Sequence, residues 1–282
     1  MNKKPHFLVI GAHKSATVWV YAMLKKNPEI YLTPLNEIHY FDRSDAYASP
    51  NISKRFLNRW WRRSFKKLIT SKDRKTKFWF FKYLFGVYND RWYVSLFSDA
   101  KANAKCGEVT PSYSMLEVED IQKVYKINPD MKIIFMMRNP IERAWSGFLH
   151  SLKVGNRNYE EMSESNVISE LRSESNVKRG DYLKTIDNWT SVFPEKQFQI
   201  FYFEDVVQRP KQMLQDMFAF IGVSDDLAWH TIELHKKIHE SQKMPLPEKY
   251  REFLQSLHNK KIQLLYDRVQ SPIIKSWLDQ KQ

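Results

Sequence analysis

Short apolar runs alternate with stretches of helical periodicity along most of the chain, and this alternation constrains the fold more than any other feature. Met131–Arg138 (MKIIFMMR) is the clearest buried strand, because apolar residues fill it without the alternation of a half-exposed strand. Four further runs have the length of strands: His6–Gly11, Ile30–Thr33, Ala104–Val109 and Gln197–Phe203. Helical spacing occupies the segments between and after them: Ser15–Lys26, Glu117–Ile127, a helix opening at Pro140, Asp181–Phe193, Met213–Ile221 and Pro247–Val269. This order predicts an α/β fold of three layers, α/β/α, with a central parallel sheet of about five strands.

The composition predicts a soluble chain with no internal division. The 282 residues contain no internal repeat, no low-complexity tract and no linker, so we expect a single domain over residues 1–282. No apolar run reaches the roughly 18 residues that a membrane span requires. Cys106 is the one cysteine, which excludes an intrachain disulfide and fits a reducing compartment. We therefore expect a cytoplasmic protein without a transmembrane segment.

The positive charge of the chain is concentrated in one stretch. The formal net charge is +13, and residues 51–92 carry thirteen Lys or Arg against Asp73 and Asp90, a surplus of +11. Aromatic residues are interleaved with these cations, and the stretch has helical length but poor capping signals. We expect residues 51–100 to form an insert. Its charge indicates an anionic partner, such as nucleic acid, anionic lipid or an acidic substrate, unless it is only a solvated basic face.

The first strand leads through the sequence GAHKSAT directly into a helix. In such a unit the loop amides and the helix N-terminus present N–H donors to an anion. Lys14 would add a cation, and Ser15 or Thr17 a hydroxyl donor. The layout is P-loop-like, but Lys14 precedes the small residues, whereas the nucleoside-triphosphatase motif GxxxxGK[ST] places its lysine at the helix start. An ordinary strand-to-helix turn with a surface lysine is the alternative.

A second unit of the same kind follows the strand Met131–Arg138. Arg138 stands at the carboxyl end of that strand, where α/β folds place ligand groups, and Ser146 lies eight residues further on in the next helix. The guanidinium and the hydroxyl together are suited to a second phosphate. A structural ion pair of Arg138 or Arg143 with Glu142 is the alternative.

These segments resemble the family of sulfotransferases that use PAPS (3′-phosphoadenosine 5′-phosphosulfate), in the branch with heparan sulfate and bacterial sulfotransferases. Lys14–Trp19 (KSATVW) is similar to the family's 5′-phosphosulfate loop, and Arg138–Ser146 to its 3′-phosphate motif. Asn36–Phe41 (NEIHYF) is similar to its KExHFF segment, and Gly107–Tyr113 (GEVTPSY) to its GExTPxY segment. Ser241–Pro245 (SQKMP) resembles the late loop that covers the nucleotide. The five segments stand in the family's order.

The resemblance implies transfer of a sulfuryl group from PAPS to an acceptor hydroxyl, with adenosine 3′,5′-bisphosphate as product and no metal. It assigns the donor nucleotide to ten residues: Lys14, Ser15, Ala16, Thr17, Val18, Trp19, Arg138, Ser146, Ser241 and Lys243. Trp19 has two interpretations, a platform for adenine or a core aromatic. Two positions depart from the family, since Ala16 replaces the usual glycine and Val18 the usual second threonine.

Glu37 is the residue that the resemblance assigns as general base for the acceptor hydroxyl. Lys14 would neutralise charge on the leaving group. His39 lies two residues from Glu37, so on an extended segment it would share that face and serve as an orienting group or as the base itself. Glu108 is interpreted as a structural hydrogen-bond acceptor, and Cys106 as a core residue.

Two other functions remain open from the sequence. A P-loop nucleotide kinase fits the first unit, although the displaced Lys14 and the lack of a clear Mg²⁺ ligand set disfavour it. A non-enzymatic protein that binds nucleic acid or an anionic membrane through residues 51–92 fits the charge. We expect instead that residues 51–100 line the acceptor side of the cleft, and that nucleic acid is not the partner. The acceptor (a glycan, a glycolipid or a natural-product alcohol) and the oligomeric state are not defined by the sequence.

Overall fold

Five parallel strands form one central sheet. The computed structural model describes residues 3–42, 52–234 and 244–279. The strands are β1 (Phe7–Gly11), β2 (Ile30–Leu32), β3 (Lys105–Val109), β4 (Lys132–Met137) and β5 (Phe198–Tyr202). Their order across the sheet is β2-β3-β1-β4-β5, and every neighbouring pair is parallel. Each strand lies within a run that the sequence predicted, so the parallel sheet is confirmed.

Helices connect the strands and extend the chain beyond them. In the described residues they are α1 (Thr17–Leu24), α2 (Ile52–Leu57), α3 (Arg59–Thr70), α4 (Arg74–Phe85), α5 (Asp90–Ser95), α6 (Val118–Ile127), α7 (Pro140–Gly155), α8 (Glu164–Arg172), α9 (Glu174–Lys178), α10 (Tyr182–Thr190), α11 (Phe203–Gln208), α12 (Pro210–Ile221), α13 (Glu248–Val269) and α14 (Pro272–Asp279). The polar stretch 155–175 contains the short 3-10 turn Tyr159–Glu161 and α8.

The two faces of the sheet are covered by different helices, because successive residues of a strand point to opposite sides. Phe7 and Val9 of β1 face a core that includes apolar side chains of α1 and α12. Leu8 and Ile10 face a second core that includes side chains of α6, α7, α10 and α13. The chain therefore has the P-loop-like α/β/α architecture that the sequence predicted.

The basic stretch between β2 and β3 consists of the four helices α2 to α5. The expectation of poor caps is wrong for three of them, because Asn58, Asp73 and Asn89 each accept a hydrogen bond from a first-turn amide. The amides belong to Trp60, Thr76 and Trp92, at 2.7, 2.8 and 2.9 Å. Each cap satisfies a donor that the helix itself leaves unpaired, which fixes where these helices begin.

Within the described ranges, every helix is too short or too polar to cross a lipid bilayer.

Candidate active site

The loop between β1 and α1 is sharply bent, and its backbone conformations are unusual for its residue types. Gly11 ends β1 close to the 3-10 turn Pro111–Met115 that follows β3, so that an added Cβ would lie 2.7 Å from the Cβ of Ser114. Lys14 and Ala16 have positive φ angles of 69° and 62°. This left-handed conformation costs a residue with a Cβ about 1–2 kcal/mol. The usual family glycine at position 16 would adopt it without that cost.

The N-terminus of α1 points its amides at the space inside this loop. Ala16 stands at the cap position and has no side-chain acceptor to offer the first-turn N–H groups. The hydroxyl of Ser15 is buried and, among the described residues, makes no hydrogen bond of normal geometry. Such a set of donors fits a phosphate or sulfate group. The residues present therefore fit the 5′-phosphosulfate end of the predicted nucleotide.

Arg138 lies at the end of β4, next to β1, and reaches the loop. Its Nη1 donates a hydrogen bond of 3.3 Å to the backbone carbonyl of Lys14. Its own carbonyl accepts from the Tyr182 hydroxyl at 2.9 Å, and its guanidinium lies 4.5 Å from the ring centroid of Phe203. The two phosphate-binding units predicted from the sequence thus meet at one edge of the sheet, as they must if they are to hold one nucleotide.

The ion pairs proposed as an alternative for the second unit are only partly present. Arg138 lies 3.9 Å from Glu142, at the outer limit of an ion pair. Arg143 instead is fully buried and donates to the backbone and side-chain oxygens of Asn176, at 2.6 and 2.8 Å. Ser146 is buried on α7, the helix that the sequence predicted to begin at Pro140.

Glu37 and His39 lie beside the same edge, held by backbone hydrogen bonds to the end of β3. The amide of Glu37 donates to the Val109 carbonyl at 3.1 Å, and that of Ile38 to the Thr110 hydroxyl at 3.2 Å. The expectation of an extended segment is wrong, because Glu37 and His39 have φ angles of 68° and 57°. Their side chains meet nevertheless, with His39 Nε2 3.1 Å from the Glu37 carboxylate.

His39 lies between two carboxylates. Its Nδ1 is 2.6 Å from Asp42 on the side opposite Glu37, and the side chain is only 2% exposed. Burial by itself lowers the pKa of His39, but the hydrogen bonds to Asp42 and Glu37 outweigh it and raise the pKa to about 9. At neutral pH both ring nitrogens therefore carry protons and donate. Sequence reasoning missed Asp42, although its place three residues after His39 was a usable signal.

Lys153 and His150 of α7, which the sequence did not single out, interact electrostatically with Lys14. Burial, then the charges of Arg138 and Lys153, lower the pKa of Lys14. Partial burial, followed by the charge of Lys14, lowers the pKa of His150 of α7. The charge of Glu37 opposes this decrease. His150 thus lies within electrostatic range of both Lys14 and Glu37.

Glu108 of β3 is buried and connects, through Thr110, to the segment that carries Glu37. It accepts a hydrogen bond from Thr110 at 3.2 Å, and Thr110 in turn accepts from the Ile38 amide. Burial raises the pKa of Glu108 to about 7, against the opposing effect of its hydrogen bonds. This connection to the Glu37 segment agrees with the structural role predicted for it. Cys106 is fully buried in the core, as predicted.

The other residues predicted to bind the donor nucleotide lie either on α1 or outside the described part of the chain. Thr17 opens α1, and Val18 follows it on the same turn. Trp19 is buried in the core beneath α1 and donates its indole N–H to the Leu234 carbonyl at 3.0 Å, which fits the core interpretation of this residue. Ser241 and Lys243 lie outside the described residues. Over the described part of the chain, no three His, Cys, Asp or Glu side chains converge to hold a metal ion.

Two strand-to-helix units, after β1 and after β4, lie side by side at the carboxyl edge of a five-stranded parallel sheet, which is the arrangement of a P-loop-like α/β/α protein. The model of the sulfotransferase family matches residues 5–226, and the chain belongs to that family. It is 22% identical over 239 residues to heparan sulfate glucosamine 3-O-sulfotransferase 5 of Mus musculus, a match that covers 82% of this chain and 57% of that protein. Carbohydrate sulfotransferase 15 of Mus musculus is 20% identical over 265 residues, covering 78% of this chain and 44% of that one. The matches thus span 57% of the length of the first relative and less than half, 44%, of the second.

Solved structures have the same fold. A sulfotransferase from Alicyclobacillus acidocaldarius superposes with a TM-score of 0.66 at 23% identity, over 98% of this chain and 99% of the other. A mouse sulfotransferase complexed with PAP superposes with a TM-score of 0.55 at 14% identity, over 99% and 89% of the two chains.

Proposed function

We propose that this protein transfers a sulfuryl group from PAPS to an acceptor hydroxyl and releases adenosine 3′,5′-bisphosphate (PAP). The observation that carries this proposal is the hydrogen bond from Arg138 to the Lys14 carbonyl. This hydrogen bond joins the loop between β1 and α1, which is suited to the 5′-phosphosulfate, to the arginine that is suited to the 3′-phosphate. Membership of the sulfotransferase family, and a structural neighbour solved with PAP, support the same donor.

In this proposal each end of the nucleotide has its own set of donors. The first-turn amides of α1, with Ser15 and Thr17, bind the 5′-phosphosulfate, and Lys14 balances negative charge on the leaving phosphate. Arg138 and Ser146 bind the 3′-phosphate. Ser241 and Lys243 remain predicted from the resemblance alone.

Glu37 is the proposed base that accepts the proton of the attacking hydroxyl. PAPS supplies the sulfur, which bonds to the acceptor oxygen as its bond to the 5′-phosphate oxygen breaks. His39, protonated between its two carboxylates, is a poor base at neutral pH, so it holds the Glu37 carboxylate in place. Asp42 orients His39 from the other side. Sulfuryl transfer asks for such positioning and charge balance more than for covalent help.

The proposed acceptor is a carbohydrate hydroxyl. The relatives named above act, by their names, on heparan sulfate glucosamine or on carbohydrate. The basic helices α2 to α5 lie next to the Glu37 segment, since the ring of Tyr40 stacks on that of Tyr93 with centroids 4.7 Å apart. An acidic glycan would be attracted to this side of the cleft.

A ligand comparison tests the donor proposal directly. Calorimetric titration with PAP and with ADP, which lacks the 3′-phosphate, should give a lower dissociation constant for PAP. Equal affinities would contradict the assignment of Arg138 and Ser146.

Labelled PAPS, offered with a panel of glycans and alcohols and followed by mass spectrometry, should yield a sulfated product whether or not EDTA is present. Phosphoryl transfer from ATP that EDTA abolishes would instead identify a nucleotide kinase.

A further inference from the structure

Helices α3 and α4 form an antiparallel hairpin, joined by residues 71–73, that is anchored on one side only. Trp61 near the start of α3 lies against Phe85 at the end of α4, with ring centroids 6.0 Å apart. The inner side of α4 is buried in the core: Trp79, Phe80, Tyr83 and Leu84. Trp79 also donates its indole N–H to the Leu96 carbonyl at 2.8 Å. The hairpin is therefore a fixed part of the fold.

The outer side of the hairpin is apolar as well. Phe78, Phe81 and Phe85 are 59%, 53% and 46% exposed, and their spacing of three and four residues places them on one face, opposite the buried one. Phe65 and Ile69 are exposed one turn apart on α3. Phe65 stacks on Trp61 at 5.2 Å, and Trp61 in turn contacts Phe85, which links the exposed side chains of the two helices. We call these five exposed residues the hairpin ridge. A contiguous exposed apolar patch on a soluble domain marks an interaction surface.

Cations stand on both flanks of the hairpin ridge. Arg62 and Lys66 follow the apolar stripe of α3 by one helical step, and Lys75 and Lys77 lie on either side of the stripe of α4. All four are exposed. The whole stretch 51–92 carries a surplus of +11. The surface thus combines a central line of rings and aliphatic groups with a positively charged border.

We propose that the hairpin ridge docks on the anionic face of a lipid bilayer. The Phe and Ile side chains enter the boundary between headgroups and acyl chains, and the bordering Lys and Arg contact acidic headgroups. Single-stranded nucleic acid fits less well, because base stacking needs ring faces, whereas Ile69 and the neighbouring exposed Leu57 offer none. The proposal does not depend on sulfuryl transfer.

Docking would fix the height of the candidate cleft above the membrane. Tyr83 of α4 lies against Trp92 of α5, with centroids 5.8 Å apart, and the neighbouring Tyr93 stacks on Tyr40. Tyr40 follows His39 directly in the chain. The ridge and the Glu37 segment are thus parts of one packed unit, and a membrane-anchored hydroxyl compound is the kind of acceptor that such a placement favours.

Cosedimentation with vesicles tests the docking surface. Vesicles of phosphatidylcholine with a minor fraction of phosphatidylglycerol should bind the full chain, and phosphatidylcholine alone should bind it far more weakly. The combined change Lys66→Glu, Lys75→Glu and Lys77→Glu should weaken binding about 100-fold or more, since each basic residue near the surface contributes about fivefold. The matched control Lys126→Glu, Lys196→Glu and Lys211→Glu reverses three exposed lysines outside the hairpin, and should weaken binding far less. Equal binding to both kinds of vesicle, or an equal loss in the control, would overturn the proposal.

A labelling experiment gives a second readout that does not depend on a disruptive variant. Cys106 is buried, so a cysteine introduced by Phe81→Cys can be labelled with a polarity-sensitive fluorophore after confirming that the unaltered chain takes up no label. Its emission should shift to the blue on addition of the anionic vesicles. The same label at Val207→Cys, after the strand at the other edge of the sheet, should not respond. A shift at Phe81→Cys with single-stranded oligonucleotide and none with vesicles would show a nucleic-acid surface and refute lipid docking.

Discussion

Arg138 donates a hydrogen bond to the backbone carbonyl of Lys14 and thereby connects the ends of two neighbouring strands. The contact arises because β4 lies beside β1 in the sheet, so side chains that follow both strands reach one cleft. Arg138 thus has a structural role in the loop besides its proposed role toward the nucleotide. A change at Arg138 would mix the two effects, which makes Ser146 the better position for a test.

Ser146→Ala should weaken the binding of PAP by about 10- to 100-fold, the range expected when a hydrogen bond to a charged group is lost. The affinity for ADP should not change, because ADP has no 3′-phosphate. Calorimetric titration of both ligands measures the difference. Ser151→Ala on the same helix serves as control, since the Ser151 hydroxyl donates to the Phe148 carbonyl within α7. A parallel loss for ADP would place Ser146 outside the 3′-phosphate pocket.

Glu37→Gln should lower the turnover number by about 100-fold or more, the low end for loss of a general base. PAP affinity should be retained, because the carboxylate is proposed to act on the acceptor. Steady-state rates with labelled PAPS and an identified acceptor give the first value, and titration the second. The exposed Glu117, changed to Gln, provides the control. Full activity in Glu37→Gln would remove this residue from the role of base.

His39 should make the protein less stable as the medium becomes alkaline. Its pKa is raised from 6.5 to about 9 by the two carboxylates. The stabilisation is therefore complete below pH 6.5 and is lost as the pH rises toward 9. The change is on the order of 3 kcal/mol in the free energy of unfolding. Urea denaturation between these pH values measures it, and His39→Gln should abolish this share of the pH dependence. An unaltered slope in that variant would show that His39 is not charged in the folded state.

His258 should make the protein less stable as the medium becomes acidic. It is buried next to Gly180 and Arg143, and burial, followed by the charge of Arg143, lowers its pKa to about 4. Its contribution is present above pH 6.5 and is lost as the pH falls toward 4. In His258→Gln the decline in unfolding free energy over this interval should be smaller than in the unaltered chain. The same decline in unfolding free energy between pH 6.5 and 4 in both proteins would contradict this prediction.

Ala16→Gly should raise the free energy of unfolding by roughly 0.5–1 kcal/mol. The change removes the cost of a left-handed residue with a Cβ, and the greater freedom of glycine in the unfolded chain offsets part of the gain. Ala22→Gly in the middle of α1 should instead destabilise by about 1 kcal/mol. Chemical denaturation of the three proteins gives both values. If both glycine variants were destabilised alike, the left-handed conformation of Ala16 would be refuted.

The strands could be predicted from the sequence because each is a short, continuous apolar run, and burial on both sides of a parallel sheet demands that pattern. The helices of the basic stretch were harder, although Asn58, Asp73 and Asn89 were available as capping signals. The helix α4 gives no simple amphipathic pattern, because it is apolar on two opposite faces and only one of them faces the core.

The sequence predicted which residues belong to the candidate site, but only part of how they are arranged. Glu37 and His39 meet through left-handed backbone conformations, for which neither residue type gives a signal. That conformation is imposed by hydrogen bonds to Val109 and Thr110, far along the chain. The role of Asn176 as partner of Arg143 likewise depends on a contact between distant segments. Local patterns contain no information on such contacts.

The stack of Tyr40 on Tyr93 has a consequence for engineering. Residues 51–100 look like a replaceable cassette, since they connect two adjacent strands without contributing to the sheet. Yet one ring of the stack belongs to the cassette and the other to the segment that carries Glu37. If helices α2 to α5 were transplanted into a related protein, they would therefore keep their position relative to the Glu37 segment only if Tyr40 were transplanted as well.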